Sequence, residues 1–180
     1  MKISPRDFYK LLIRPVVVVS TISANGVSNA APFSFNSPVS FSPPIIAVFS
    51  NPAHDTWRNI RENKEFVVNI VGEDFGPLMK ILEKDFPYGV SEIEKAGLTE
   101  QPSNKVRPPR IKEAYAWLEC RMVDSLELGD HVLIAGEVLE AEVRDELFDK
   151  VIDIEKAKPL GHIAGEYFST ECKRKKFERA

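Results

Sequence analysis

The sequence predicts a mainly β fold: an antiparallel barrel with helices inserted between its strands, one domain across residues 1–180. Three observations predict it. Short apolar runs rich in β-branched residues recur along the chain, in "VVVVSTIS", "IIAVFS", "EFVVNIVG" and "HVLIAGEV". Hairpin signals stand near both ends, at Asn25-Gly26 and at Gly129-Asp130. No Gly-x-Gly-x-x-Gly follows a strand to open a helix, so a dinucleotide-type parallel sheet lacks its central motif.

The elements follow in order. In "SPRDFYKLL", Ser4 is a candidate N-cap and Pro5 suits the first helical position; Pro15 then ends the helix. "VVVVSTIS" and "SNAAPFSF" are expected to pair through the Asn25-Gly26 turn. "IIAVFS" is a further strand, and Pro38, Pro43 and Pro44 require the preceding link to run at a sheet edge or outside the sheet. "NPAHDTWRNIREN" reads as a helix with Trp57 and Ile60 on one face, capped by either Asn51 or Asp55. "EFVVNIVG" is a strand, "DFGPLMKILEKDF" and "SEIEKAG" are short helices, and "TEQPSNKVRPPRI" is a loop. "AYAWLECRMVDSLEL" and "HVLIAGEVLEAEV" form a long hairpin, "DELFDKVIDIEKA" is expected to be helical, and "GHIAGEYFS" closes the chain as loop or strand. Hairpins at both ends favour one closed antiparallel barrel over a βαβ sheet.

Composition narrows the function. The chain carries 24 Lys and Arg against 27 Asp and Glu, a formal charge of −3, which does not suit a nucleic-acid binder. The basic tail "CKRKKFERA", with Lys173, Arg174, Lys175, Lys176 and Arg179, is either a solvated end or a polyanion site. Cys120 and Cys172 have no metal-like spacing and read as separate reduced thiols. "MKISPRDFYKLLIRP" has no apolar signal-peptide core, and a cytoplasmic protein without membrane contact is expected. Hydrolase, P-loop and HExxH motifs are missing, and His54, His131 and His162 have no local partner spaced for a metal, so none is expected.

The informative stretch is Pro15 to His54, which holds no Asp, Glu, Lys or Arg. Burial in a barrel core would exclude charge from it. So would a cleft for a flat, uncharged, hydrogen-bonding molecule. Ser34, Asn36, Ser37 and Ser50 offer hydroxyls and an amide, while Ala30 and Ala31 are small enough for a planar ring to approach the backbone. The helix start at "NPAHDT" presents unpaired N–H groups beside Ser50, Asn51 and Thr56, a cradle for phosphate. Arg58 and Arg61 could add positive charge; ordinary capping explains the same residues without a ligand.

"RPVVVVSTISANGVSNAAPFSFNSPVSFSPPIIAVFS" and "DTWRNIRENKEFVVNIV" resemble the flavin reductase-like family of FMN-binding split barrels. "GDHVLIAGEV" and the insertion "FPYGVSEIEKAGLT" extend the resemblance in the same order over most of the chain. Flavoredoxin-like members are nearest in character. The resemblance implies an antiparallel split β-barrel, a homodimer, and non-covalent FMN near the subunit interface. It implies that the flavin ring lies against Asn29, Ala30, Ala31, Ser34, Phe35, Asn36 and Ser37. Ser50, Asn51, Asp55 and Thr56 would surround the ribityl phosphate. On its residues alone His131 reads first as a barrel-rim side chain beside the turn residue Asp130; the resemblance implies instead that it meets the nicotinamide of NAD(P)H. Tyr88 and Tyr167 are weaker candidates for aromatic walls. The expected function is an FMN-binding oxidoreductase passing reducing equivalents from NAD(P)H, or from a protein partner, to flavin or another acceptor. The alternative is an FMN electron carrier without NAD(P)H activity. Flavin chemistry needs no protein nucleophile, which fits the missing motifs.

Overall fold

The computed structural model describes residues 1–178. The chain runs β1 (Arg14–Pro15), β2 (Val17–Ile22), β3 (Ser28–Phe33), β4 (Asn36–Phe41) and β5 (Pro44–Ser50), then α1 (Asp55–Asn63) and β6 (Glu65–Ile70). The short helices α2 (Met79–Leu82) and α3 (Glu92–Lys95) follow, with the two-residue strands β7 (Glu100–Gln101) and β8 (Arg110–Ile111). The long strands β9 (Ala116–Leu128) and β10 (His131–Val143), then α4 (Ile154–Ala157), β11 (Gly161–Ala164) and β12 (Tyr167–Ser169), complete it.

Seven strands form one antiparallel sheet in the order β3-β2-β6-β9-β10-β5-β4. Its edge strands, β3 and β4, are consecutive in the chain and joined only by Ser34-Phe35. Among the described residues no ladder joins these edges, so the barrel is split there, as the family resemblance implied and unlike the closed barrel the hairpin count suggested. Proline explains the seam: Pro32 and Pro38 stand in the two edge strands, where a missing donor is tolerated. A smaller sheet, in the order β1-β11-β12, lies against the chain's first helix-like turn, Pro5–Leu11.

The valine run has a simple cause. Val16 and Val18 belong to one apolar cluster with Phe75, Ile111 and Trp117. Val17 and Val19 face the other, with Phe66, Ile134 and the α1 residues Trp57 and Ile60. A strand buried on both faces reads as continuous hydrophobe rather than alternation. In the second cluster the Phe66 ring lies so close to Gly136 that a Cβ there would meet Phe66 Cε1 at 2.7 Å.

Some local expectations change. His54, not Asn51 or Asp55, is the N-cap of α1; the Asn51 side chain instead accepts the Ala53 N–H at 2.9 Å. The link before β5 does run at the sheet edge, as the prolines required, and forms the strand β4 there. "DELFDKVIDIEKA" is not one helix: a turn at Asp145–Leu147 and a bridge between Phe148 and Ile152 precede the four-residue α4. Asp153 caps α4 anew, and Leu147 and Ile152 both pack inward at a spacing no single helical face supplies. The loop Gln101–Arg110 is fastened by buried charge: Glu119, fully buried, accepts the Asn104 N–H at 2.9 Å and Arg110 Nε at 2.7 Å. In the tail, Lys173 to Lys176 are exposed coil, and Arg179 lies outside the described residues.

Candidate functional site

A cleft of about 450 Å³ opens where the β3–β4 seam meets the start of α1. Its volume falls within the ~300–1,000 Å³ usual for small-molecule sites. One wall is the seam itself, through Ala31, Pro32, Phe33, Ser34 and Phe35. Asn51, Ala53, His54, Asp55 and Thr56 close one end. His131 and Phe49 stand on another side.

The edge of β3 has had its donors removed. Outward-facing amides alternate along an antiparallel strand. The Ala30 N–H points away from β2 and is taken by Glu92 Oε2 at 3.3 Å; Pro32, the next outward position, has none. Ala31, between them, turns its own polar backbone into the ladder with β2 and leaves a small apolar surface to the cleft. That surface admits a flat ring. It does not offer amide hydrogen bonds, and Ala30 is fully buried behind it.

Asn29 anchors a buried polar chain. It donates to Glu92 Oε2 at 2.9 Å and accepts from the Thr56 hydroxyl at 3.3 Å and the Thr21 hydroxyl at 3.4 Å. Asn59 donates to Thr21 and accepts from the Tyr88 hydroxyl at 3.1 Å. Glu92 lines the cleft yet is only 6% exposed. Burial pushes its carboxyl above the usual range, opposed by hydrogen bonds from its own backbone, Ala30 and Asn29, and assisted by Asp55 nearby.

The first turn of α1 receives no side-chain cap from His54, and His54, Asp55 and Thr56 all line the cleft. At the other side, His131 Nδ1 lies 2.7 Å from Asp130 Oδ1, and its ring packs 5.4 Å from that of Phe35. The His131 contact holds the exposed Asp130 carboxyl below its ordinary range.

Most of the expected site residues meet here: Asn29, Ala31, Ser34, Phe35, Asn51, Asp55, Thr56 and His131 line one cleft. Others lie behind it. Asn36 donates to the Pro15 and Phe33 carbonyls and so braces the corner between β3 and β4. The Ser37 hydroxyl is exposed and donates to the Pro38 carbonyl, while that of the buried Ser50 donates to Asn51. Tyr88 lines a small neighbouring hollow under Arg58, and Tyr167 is exposed on β12. Arg58 faces Tyr88 and Glu62, and neither it nor Arg61 reaches the cleft.

Sequence reasoning missed the opposite wall. Leu82, Glu83, Lys84, Asp85, Phe86 and Glu92, from α2, its following loop and α3, face the neutral strand. The assumption that charge stays away from the site hid them. Their one signal was the resemblance of "FPYGVSEIEKAGLT" to an insertion. His162, singled out in the sequence only for lacking a metal-spaced partner, is half-buried and bonded to Ser34 and Arg14.

A family model, the flavin reductase like domain, matches residues 9–171. The chain belongs to that family. A relative in Aquifex aeolicus, an uncharacterised protein, is 40% identical over 93% of both chains. The reductase component of 4-nitrophenol 4-monooxygenase/4-nitrocatechol 2-monooxygenase from Rhodococcus opacus is 31% identical, covering 70% of this chain and 64% of its own. Among solved structures, nitrilotriacetate monooxygenase component B from Bacillus cereus superposes with a TM-score of 0.89 at 31% identity, covering 98% of each chain. Among the described residues no helix is long and apolar enough to cross a membrane.

Proposed function

We propose that this chain is an FMN-dependent oxidoreductase, taking reducing equivalents from NAD(P)H and passing them to flavin or another acceptor. The observation that carries the reading is the cleft between the amide-poor edge of β3 and the uncapped start of α1, with His131 at its side. The residues fit FMN in kind. An uncapped helix start suits a phosphate. Asp55 and Glu92 suit the hydroxyls of a polyol, and Ala31, Pro32 and Phe35 form a wall for an aromatic ring. Bound FMN would supply the redox chemistry itself.

The protein's part is to hold and shield. Phe35 and Phe49 exclude water from the ring's surroundings, and Asp130 fixes the orientation of His131 toward an incoming nicotinamide. The Rhodococcus opacus relative, a reductase component, supports a reductase over a carrier. We further infer a homodimer. Phe41 on edge strand β4 is 94% exposed, and Val39, Val123, Leu126 and Leu128 are also uncovered.

Anaerobic stopped-flow mixing of the FMN-loaded protein with NADH and NADPH tests the reading. Rapid bleaching of the flavin band with one of them is expected, slowed up to about 100-fold by His131→Ala through lost positioning of the nicotinamide, with FMN affinity retained. A flavin that binds but stays oxidised identifies a carrier instead. Large loss of FMN in His131→Ala would refute the role assigned to that side chain.

A further inference from the structure

Behind Ser34 lies a group of side chains that the cleft does not contain. Arg14, on β1, is 9% exposed. One guanidinium nitrogen, Nη1, donates to the Tyr9 carbonyl at 2.9 Å. The other, Nη2, reaches the Ile163 carbonyl at 2.7 Å and His162 Nδ1 at 3.2 Å. Its Nε is the one buried side-chain polar atom without a partner among the described residues. The guanidinium lies 5.5 Å from the Tyr9 ring and 5.2 Å from that of Phe35, so rings and carbonyls fix it in place.

This arrangement decides the state of His162. An arginine only donates, so the Nδ1 facing it must be the bare, accepting nitrogen. The ring proton then sits on Nε2, which lies 3.1 Å from the Gly165 carbonyl and donates to it. Nδ1 has one in-plane lone pair, and Arg14 occupies it. The Ser34 hydroxyl, 3.1 Å from the same nitrogen, can receive no proton from it and must compete with a permanent cation to donate to it. Its hydrogen is released toward the other side, where Ser34 lines the cleft.

We propose that Arg14 and His162 are positioning residues that turn the Ser34 hydroxyl into a hydrogen-bond donor aimed into the cleft. The ligand edge it selects is an acceptor: a ring carbonyl or imine nitrogen of a flat heteroaromatic. This is the donor that the β3 edge lacks, since Glu92 takes the Ala30 N–H and Pro32 has none. The inference rests on the flavin reading and assigns one contact within it.

The test is FMN titration of the intact protein, followed by the flavin absorption band, with four variants. Ser34→Ala should weaken FMN about 3- to 10-fold, as one lost hydrogen bond does, and shift the bound spectrum. Arg14→Met, which leaves the Nδ1 lone pair open to the Ser34 proton, should produce the same loss, and its double variant with Ser34→Ala no further loss. Adding His162→Leu to Arg14→Met removes that competing acceptor and should restore most of the affinity and the spectrum. Nitrogen-15 NMR of the ligand-free protein should find the His162 proton on Nε2. Unchanged FMN affinity in Arg14→Met, additive losses in its double variant with Ser34→Ala, or a proton on Nδ1 would each overturn the proposal while leaving the flavin reading standing. Failure of the unmodified protein to bind FMN would overturn both.

Discussion

Glu92 gives the clearest test of how the cleft wall is built. Its Oε2 accepts from Asn29 Nδ2 at 2.9 Å and the Ala30 N–H at 3.3 Å, both buried. Replacing Glu92 by Leu strands both donors. At about 1–3 kcal/mol for each, the loss should be on the order of 2–6 kcal/mol. For a chain of this size, at about 2–4 °C per kcal/mol, that is a fall of about 4–24 °C in melting temperature. Glu92→Gln keeps an acceptor oxygen and should behave differently.

Because burial holds the Glu92 carboxyl above its usual range, the folded state binds a proton that the unfolded chain has already lost. Stability from this group is therefore full below the ordinary carboxylate range. It falls as pH rises from there toward the raised value, then levels. Glu92→Gln removes that titration. Urea denaturation of both proteins from pH 4 to pH 8, a window of about four units, should show the variant gaining on the parent as pH rises. A constant difference across the series, or a variant that loses ground at high pH, would refute a buried carboxyl held together by these two donors. Equal stability of Glu92→Leu would do the same.

Other outcomes follow from the same coordinates. Gly136→Ala should cost about 1–3 kcal/mol because its Cβ meets the Phe66 ring, and Phe66→Leu in the same chain should recover part of the loss in thermal melts. Glu119→Ala should cost about 2–6 kcal/mol, at about 1–3 kcal/mol for each donor stranded, the buried Arg110 Nε and the Asn104 N–H, while Glu140 and Glu142 still pair with Arg110; denaturant titration reads it. Burial, then the neighbouring Glu119, pushes the Cys120 thiol up, so a thiol reagent should label half-buried Cys172 and spare Cys120 until the protein unfolds. Phe41→Glu should convert the inferred dimer to monomer in light scattering.

The sequence made the barrel legible because its signals are local. Asn25-Gly26 and Gly129-Asp130 announced hairpins that the fold contains, and the valine run announced a strand, which the fold buries on both faces. The split was harder to see, since it depends on which edges fail to pair, and prolines mark edges without naming their neighbours. The site was half legible. Ala31, Ser34 and Thr56 lie in neutral segments whose composition pointed to a cleft. Glu92 and Lys84 come from a charged insertion folded across it, and no periodicity within that insertion predicts where it lands. His162 became meaningful only when β11 was paired with β1, because Arg14 then fixed its tautomer.

Titration of FMN into the purified protein and into its Ala31→Trp variant, read by flavin fluorescence, tests the central claim most directly. The account predicts saturable binding of one flavin per chain, lost in the variant while its melting temperature stays within a few degrees (~2–4 °C) of the parent. Undiminished binding after an indole fills the wall at residue 31, or no binding to either protein, would contradict it.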